Sequence, residues 1–221
     1  MADAIFLSAG VPDPLRGAQY AATTNVVAIT SAVAALVHVT LGRRPLVWGG
    51  HPAITPMIWF IAQEIDVDYG KWVTLYQSNF FEDEFPEDNE RFKNVRFTEK
   101  INDNREASLL EMRERMFSET QFAAAVFIGG MAGILAEFEM FRHFQPDAKI
   151  LPVMSTGGAT LEVGGKVSSL ASDMSDDRDY VALFHRHLGI STREERYRSP
   201  EDQPKKISDR YWRQNKEHPS E

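Results

Sequence analysis

Residues 122–141 read FAAAVFIGGMAGILAEFEMF, and this stretch decides the fold. It begins with a short apolar run, which is typical of a buried strand. The pattern from Ile134 onward is typical of a helix with Phe138 and Phe141 on one face, and a glycine turn separates the two elements. A strand, a glycine turn and a helix in this order present backbone N–H groups at a helix N-terminus, where the helix dipole favours an anion such as phosphate.

Glu137 lies one turn into this helix, within reach of a ligand held at the turn. The turn residues that would contact such a ligand are Gly129, Gly130, Met131, Gly133 and Ile134. The alternative is an ordinary tight turn followed by an exposed glutamate. The motif by itself does not separate these two interpretations.

A second loop of this kind follows the first apolar run of the chain, at 4–9. Because that run is apolar throughout, it predicts a parallel strand covered on both faces. The loop at 10–17 leaves the carboxyl end of this strand, where open α/β sheets bind ligands. The candidate ligand contacts here are Ser8, Ala9, Gly10 and Arg16. Hydroxyl and guanidinium groups suit phosphate, although a solvated loop cation is the alternative for Arg16.

Gly49, Gly50 and His51 form another turn, between an apolar strand at 46–48 and a helix-like segment at 54–65. Two glycine pairs in this arrangement favour one nucleotide-type crevice more strongly than either pair alone. His51 is placed where its side chain can point into the crevice. The alternative for His51 is a residue that begins the helix and contacts no ligand.

The remaining segments continue the alternation of strands and helices. A strand at 149–154 leads into a turn in which Ser155 and Thr156 are candidate ligand contacts. Strands are also predicted at 71–77 and 95–98, and helices at 103–119 and 179–188. A further helix is predicted at 20–41, with Thr23-Thr24-Asn25 marking a cap or a kink near its start. The chain is therefore predicted to be α/β, a Rossmann-like three-layer sandwich with a central, mainly parallel sheet.

Two charged segments interrupt this pattern. The acidic run at 79–90 predicts a solvated loop whose phenylalanines dock on the body or on a second subunit. Residues 191–221 predict a charged tail, extended or partly disordered, that contacts the body through Tyr211 and Trp212. The chain is accordingly divided into a nucleotide-binding domain at 1–190 and a tail at 191–221.

Composition excludes several classes of function. The 221 residues contain no cysteine, which rules out disulfides, thiolate zinc sites and cysteine nucleophiles. A net charge of -8 argues against a large nucleic-acid surface. No secretory signal is visible and the longest apolar segment is too short to span a bilayer, so we expect a cytoplasmic protein without a membrane partner. No cofactor and no metal ion is expected.

Three sequence stretches resemble the SLOG superfamily, the nucleotide-binding Rossmann-like domains shared by the DNA-processing protein Smf/DprA and the cytokinin-activating LOG phosphoribohydrolases. The stretches are FLSAGVPDP at 6–14, WGGHPAITP at 48–56 and GGMAGILAE at 129–137. They occur in the order that the superfamily uses, and the resemblance spans residues 4 to about 154. The most similar subgroup is the stand-alone bacterial SLOG domains associated with conflict and defence systems.

The resemblance also implies catalytic residues. LOG enzymes carry Pro-Gly-Gly-x-Gly-Thr-x-x-Glu with an arginine on the preceding helix, and they cleave a nucleoside 5'-monophosphate into base and ribose 5-phosphate. Glu137 matches the glutamate, and Arg113 falls where the arginine is expected. The phosphate turn departs from the family pattern: Ile128 replaces the proline, one residue is inserted before Gly133, and Ile134 replaces the threonine.

Two functions follow as hypotheses. The first is a sensor that binds a nucleoside phosphate or an ADP-ribose-like molecule and reports it through its oligomeric state, which the altered phosphate turn favours. The second is an N-glycosidase or phosphoribohydrolase that uses Glu137 and Arg113. The resemblance further implies a homodimer or a higher homo-oligomer.

Overall fold

The computed structural model describes residues 4–85 and 87–212. Its centre is a six-stranded sheet in the order β4-β3-β2-β1-β5-β6, and all neighbouring strands pair in parallel. The strands are β1 (Ala4–Gly10), β2 (Leu46–Trp48), β3 (Val73–Ser78), β4 (Val95–Thr98), β5 (Phe122–Gly129) and β6 (Lys149–Pro152). The α/β prediction with a parallel sheet is confirmed.

Helices connect the strands and cover both faces of the sheet. They are α1 (Ala18–Ala21), α2 (Val26–Thr40), α3 (Thr55–Glu64), α4 (Tyr69–Trp72), α5 (Arg105–Glu119), α6 (Ala132–Phe144), α7 (Thr160–Lys166) and α8 (Tyr180–Leu188). Short 3-10 turns lie at Asn79–Glu84, Glu87–Arg91, Met154–Thr156, Ser172–Met174, Pro200–Asp202 and Ile207–Arg210. No helix in the described part of the chain is long and apolar enough to cross a membrane.

The alternation of side chains along β1 explains the three layers. Ile5 and Leu7 point to a core shared with α2, α3 and α8, whereas Ala4 and Phe6 point to a second core shared with α5, α6 and α7. Phe6 packs edge-on against Phe117, with ring centroids 4.9 Å apart. Since both faces of β1 are buried, its residues are apolar throughout, as the sequence pattern predicted.

The strand order reverses on either side of β1. β1 pairs with β2 on one side and with β5 on the other, which makes the gap between β1 and β5 the topological switch point of the sheet. Gly10 and Gly129 are register partners at the carboxyl ends of these two strands. The loops that follow β1 and β5 therefore leave the sheet side by side.

Several predicted boundaries were wrong for local reasons. The helix predicted at 20–41 is broken, because the Asn25 side chain accepts a hydrogen bond of 3.0 Å from Ala28 N and so begins α2. Asn104, and not Asp103, caps α5 in the same way. The third strand begins at Val73, since the preceding residues form the short α4. The acidic run at 79–90 contains two 3-10 turns, and within it Phe85 packs on Phe97.

Residues 191–212 lie against the amino-terminal end of the sheet, opposite the switch point. Glu194 has no exposed side-chain surface and forms a salt bridge of 2.6 Å with Arg44, just before β2. The indole N–H of Trp72 donates to the carbonyl oxygen of Tyr197 at 3.0 Å. Trp212 lies at the end of the described segment, and its backbone N–H donates a hydrogen bond to Arg193 O. Residues 213–221 of the predicted tail lie outside the described residues, and the division into domain and tail stays a prediction.

Candidate functional site

A cavity of about 590 Å³ opens at the carboxyl ends of β1, β2 and β5, and we call it the tip cavity. Four turns matter to its shape: the β1 turn (10–17), the β2 turn (49–53), the β5 turn (129–131) and the β6 turn (153–159). Of the residues proposed from sequence, those that line the tip cavity are Ser8, Ala9, Gly10, Arg16, Gly49, Gly50, His51, Arg113, Gly130, Met131, Gly133, Ile134 and Glu137. Residues distant in sequence are thus brought to one place.

The β1 and β5 turns contact each other directly. Gly130 N donates a hydrogen bond of 2.7 Å to Gly10 O. A Cβ atom on Gly10 would lie 3.4 Å from Gly130 Cα and 3.3 Å from His51 Nε2, so the β2 turn meets the same point. Three turns therefore converge at the switch point.

The N-terminus of α6 faces this convergence without a side-chain cap. Met131 occupies the N-cap position in an extended conformation and offers no capping hydrogen bond. Ile134 N turns back to Met131 O at 2.9 Å, which tightens the first turn. The earliest N–H groups of a helix have no partner within the helix, so in α6 they remain able to bind an anion in the cavity.

Ser8, Arg113 and Glu137 form a hydrogen-bonded group on one wall of the tip cavity. Ser8 Oγ donates to Glu137 Oε2 at 2.5 Å, and Arg113 Nε donates to Glu137 Oε1 at 3.3 Å. Ser8 follows Phe6 on the β1 face that packs on α6, which is why its hydroxyl reaches the first turns of that helix. The side chains of Arg113 and Glu137 are 10% and 17% exposed, so the ion pair is largely shielded from solvent.

His51 presents a defined hydrogen-bond donor to the cavity. Its Nδ1 accepts a hydrogen bond of 3.1 Å from Ala53 N, so the neutral ring carries its proton on Nε2, which faces Gly10. Burial lowers the pKa of His51, and the nearby Arg16 guanidinium lowers it further. A neutral imidazole beside an arginine can donate to an anion without first taking up a proton.

Gly129, Ser155 and Thr156 do not line the tip cavity. Thr156 Oγ1 accepts from Gly129 N at 2.9 Å, and Thr160 Oγ1 donates to Gly129 O at 3.0 Å. Ser155 Oγ instead lies 3.1 Å from the Tyr180 hydroxyl. The β6 turn therefore supports the β5 turn from behind, and its hydroxyls are used within the protein.

One part of the cavity lining, which we call the aromatic side, was not proposed from sequence. It comprises two sets of lining residues: Gln77, Ser78, Phe81, Glu84 and Phe85 from β3 and the acidic run, and Arg105, Glu106, Leu109 and Met112 from α5. Gln19 and Tyr20 also line the cavity. The one signal in the sequence was the presence of phenylalanines inside the acidic run, which a solvated loop does not need. The 3-10 turn at 79–84 places two of these rings, Phe81 and Phe85, on the cavity.

The described residues contain no cluster of side chains suited to bind a metal ion. Among residues 4–85 and 87–212, no three His, Asp or Glu side chains come together in a way that could hold a metal ion. The polar groups near the convergence of the turns are backbone N–H groups, the Glu137 carboxylate held by Ser8 and Arg113, Arg16 and His51, and the lining also includes Gln77, Glu84, Arg105 and Glu106.

A parallel sheet of this order, with a cavity at its switch point, defines a Rossmann-like α/β domain. The chain belongs to the SLOG cluster3 family, whose family model matches residues 19–188. This confirms the resemblance to SLOG domains. Comparisons with curated proteins and with solved structures gave no match.

Proposed function

We propose that the protein binds a phosphorylated nucleoside derivative in the tip cavity and acts as a sensor in a bacterial defence or signalling system. The observation that carries this proposal is the convergence of the β1 and β2 turns with the uncapped N-terminus of α6 at the switch point. Open α/β sheets use this position and these backbone groups for phosphorylated ligands. Membership in the SLOG cluster3 family supports the same class of ligand.

The charges around the cavity indicate how such a ligand would lie. The Arg16 guanidinium is close enough to His51 to affect its pKa, and no acidic side chain in the described segments pairs with Arg16. The phosphate is therefore expected between Arg16, His51 and the first turn of α6. A ribose would then face Glu137, and the base would face the aromatic side of the cavity.

The state of Glu137 supports a sensor. Both carboxylate oxygens are engaged, one by Ser8 and the other by Arg113. Ile134 stands where LOG enzymes have a threonine, and its side chain is buried against Gly130. The phosphate turn thus lacks the hydroxyl contact of the enzymes, while the carboxylate is held in an internal network.

The ion pair between Arg113 and Glu137 favours a second candidate function, a LOG-like N-glycosidase that acts on a nucleoside 5'-monophosphate or an NAD-like nucleotide. Arg113 and Glu137 are adjacent, although they lie on different helices. A carboxylate beside a guanidinium could stabilise an oxocarbenium-like sugar or orient an attacking water molecule.

One experiment separates the two functions. The protein is incubated with AMP, ADP-ribose or NAD, the products are separated by chromatography, and binding is measured in parallel by calorimetry. Unchanged nucleotide together with saturable binding supports the sensor. Release of free base that Glu137→Ala abolishes, and that Glu139→Ala on the exposed side of the same helix retains, would establish the enzyme instead.

We also propose that the protein forms a homodimer or a higher homo-oligomer. Leu15, Val26 and Val27 are 96%, 50% and 76% exposed, and they lie in the connection and first helical turn that follow the carboxyl end of β1. Exposed apolar side chains of this kind suit an interface between copies. Sedimentation velocity with and without AMP, compared between the wild type and Val27→Glu, tests this: a single monomeric species in every sample would contradict it.

A further inference from the structure

Gln77 lines the aromatic side of the tip cavity, as do the polar side chains of Ser78 and Glu84. It occupies the fifth position of β3 and is 7% exposed, and its side chain lines the cavity. Neither atom of its amide has a hydrogen-bond partner among residues 4–85 and 87–212. The amide is thus accessible from the cavity, where water or a ligand can provide its hydrogen bonds.

The β2 turn leaves the space that this amide occupies. Gly50 has φ +74°, and a Cβ atom there would collide with the Gln77 amide nitrogen. Glycine at this position thus supplies both the backbone conformation and the space in which the amide lies. The amide therefore lies beside Gly50, at the carboxyl ends of β2 and β3.

The surroundings of Gln77 suit a flat aromatic group. Phe81 and Phe85 are half-buried and lie on the cavity, together with the apolar side chains of Leu109 and Met112. The arginine nearest to these rings, Arg105, is paired with Glu106 and stands over Phe81 at 5.7 Å. This part of the lining therefore combines aromatic and apolar surface and one unpaired amide with the charged side chains of Glu84, Arg105 and Glu106.

We infer that Gln77 recognises the hydrogen-bonding edge of a heteroaromatic base, and so determines which nucleotide the tip cavity selects. A carboxamide presents a donor next to an acceptor, which matches the paired donor and acceptor on the edge of a nucleobase. The inference rests on the proposed function, because it assigns the base of the same phosphorylated ligand to this side of the cavity. It adds a specificity-determining residue that contacts neither the phosphate nor Glu137.

The test measures binding of AMP, GMP, CMP, UMP, ADP-ribose and ribose 5-phosphate by calorimetry. The proteins compared are the wild type, Gln77→Leu and the isosteric Gln77→Glu, with Gln63→Leu on the exposed surface of α3 as the control. We expect each Gln77 variant to bind the preferred nucleotide about tenfold to a hundredfold more weakly than the wild type. Binding of ribose 5-phosphate, which has no base, is expected to stay unchanged, as is all binding by the control.

Each contrary result has a distinct meaning. If both Gln77 variants bind the preferred nucleotide as tightly as the wild type, the inference is wrong and the proposed function stands. If the variants lose affinity for ribose 5-phosphate by the same factor as for the nucleotide, Gln77 only maintains the shape of the site, and the inference is again wrong. If the wild type binds none of the six compounds, the proposed function fails and the inference falls with it. Should Gln77→Leu not fold, Gln77→Glu, which preserves the volume of the side chain, carries the comparison.

Discussion

Ser8 Oγ donates a hydrogen bond of 2.5 Å to Glu137 Oε2, although 129 positions separate the two residues in the chain. The contact joins the carboxyl end of β1 to the second turn of α6 across the switch point of the sheet. With Arg113 on the other oxygen, the carboxylate is oriented entirely by protein groups. A group held in this way is preorganised, since its rotamer is already fixed by its neighbours.

The first prediction concerns this contact. In a double-mutant cycle of Ser8→Ala and Glu137→Gln, we expect a coupling of about 1–2 kcal/mol in the free energy of unfolding, because a shielded hydrogen bond to a charged group is worth that much. Chemical denaturation of the four proteins measures it. Effects that add to within about 0.3 kcal/mol would show that the hydrogen bond contributes nothing in solution.

The second prediction concerns the β5 turn. Gly130 has φ +71°, and a Cβ atom there would collide with Ile134 Cδ1, so Gly130→Ala is expected to destabilise the protein by about 1–3 kcal/mol. Gly165→Ala is the matched control, because Gly165 lies in α7 with nothing within 4 Å of an added Cβ. That change should leave stability unchanged or raise it slightly. Equal losses for the two variants would argue against the strained turn.

A third prediction tests the position of the phosphate. Arg16→Ala should weaken binding of a nucleoside monophosphate about tenfold, since a charge-assisted hydrogen bond is lost. The loss should shrink as salt is raised, because Arg16 is exposed and its field is screened. Arg178→Ala, at another exposed position, is the control. Calorimetry at low and high salt measures the loss of affinity and its dependence on salt. Equal affinity of the two variants would show that the phosphate does not bind at Arg16.

The fourth prediction concerns pH. Burial, followed by Arg16, lowers the pKa of His51 below the ordinary value of 6.5, and burial, followed by Arg196, does the same for His38. Below pH 6.5 the unfolded chain therefore binds more protons than the folded chain at these two histidines, so stability should fall as the pH drops through this range.

The melting temperature, followed from about pH 7.5 to about pH 5.5, measures this dependence. His51→Gln should make the decline shallower, because it removes one of the two groups. His143→Gln, at an exposed position, serves as the control. A decline that is as steep in His51→Gln as in the wild type would show that His51 titrates alike in both states.

The fifth prediction concerns the segment at 191–212. Glu194 is fully buried, with Arg44 at 2.6 Å and Arg210 at 3.6 Å, and Arg43 Nε donates to its backbone carbonyl. Glu194→Gln leaves buried guanidinium groups without a countercharge, so we expect a loss of about 3 kcal/mol or more in the free energy of unfolding. Glu195→Gln, one residue further along and exposed, should change stability by less than about 0.5 kcal/mol. Similar values for the two variants would contradict the buried ion pair.

Much of the fold was predictable because local patterns determine it. The runs at 4–9 and 122–128 are apolar on every residue, which a parallel strand between two helical layers requires. The break before α2 was predicted only as a cap or a kink at Thr23-Thr24-Asn25, because it depends on one side chain, Asn25, accepting a single hydrogen bond. Helix and strand ends in general depend on such caps, and several polar residues in a row make the choice ambiguous.

The site was predictable in part. The glycine pairs after β2 and β5, together with the glycine-containing loop after β1, indicated the tip cavity, because the carboxyl ends of parallel strands share one edge. Ser155 and Thr156 look similar in sequence, yet they lie behind Gly129, since β6 is the outermost strand next to β5. The contact between Ser8 and Glu137 and the placement of Gln77 against Gly50 depend on strand register, which no local pattern encodes.

The burial of Glu194 bears on how the protein can be shortened for experiments. The segment matched by the family model ends at 188 and begins at 19, so a version trimmed to those limits would lose the central strand β1 as well as Glu194. Arg44 and the indole N–H of Trp72 would then lose the partners that residues 191–212 provide. Versions made for crystallisation or ligand screening should therefore retain residues 4–212.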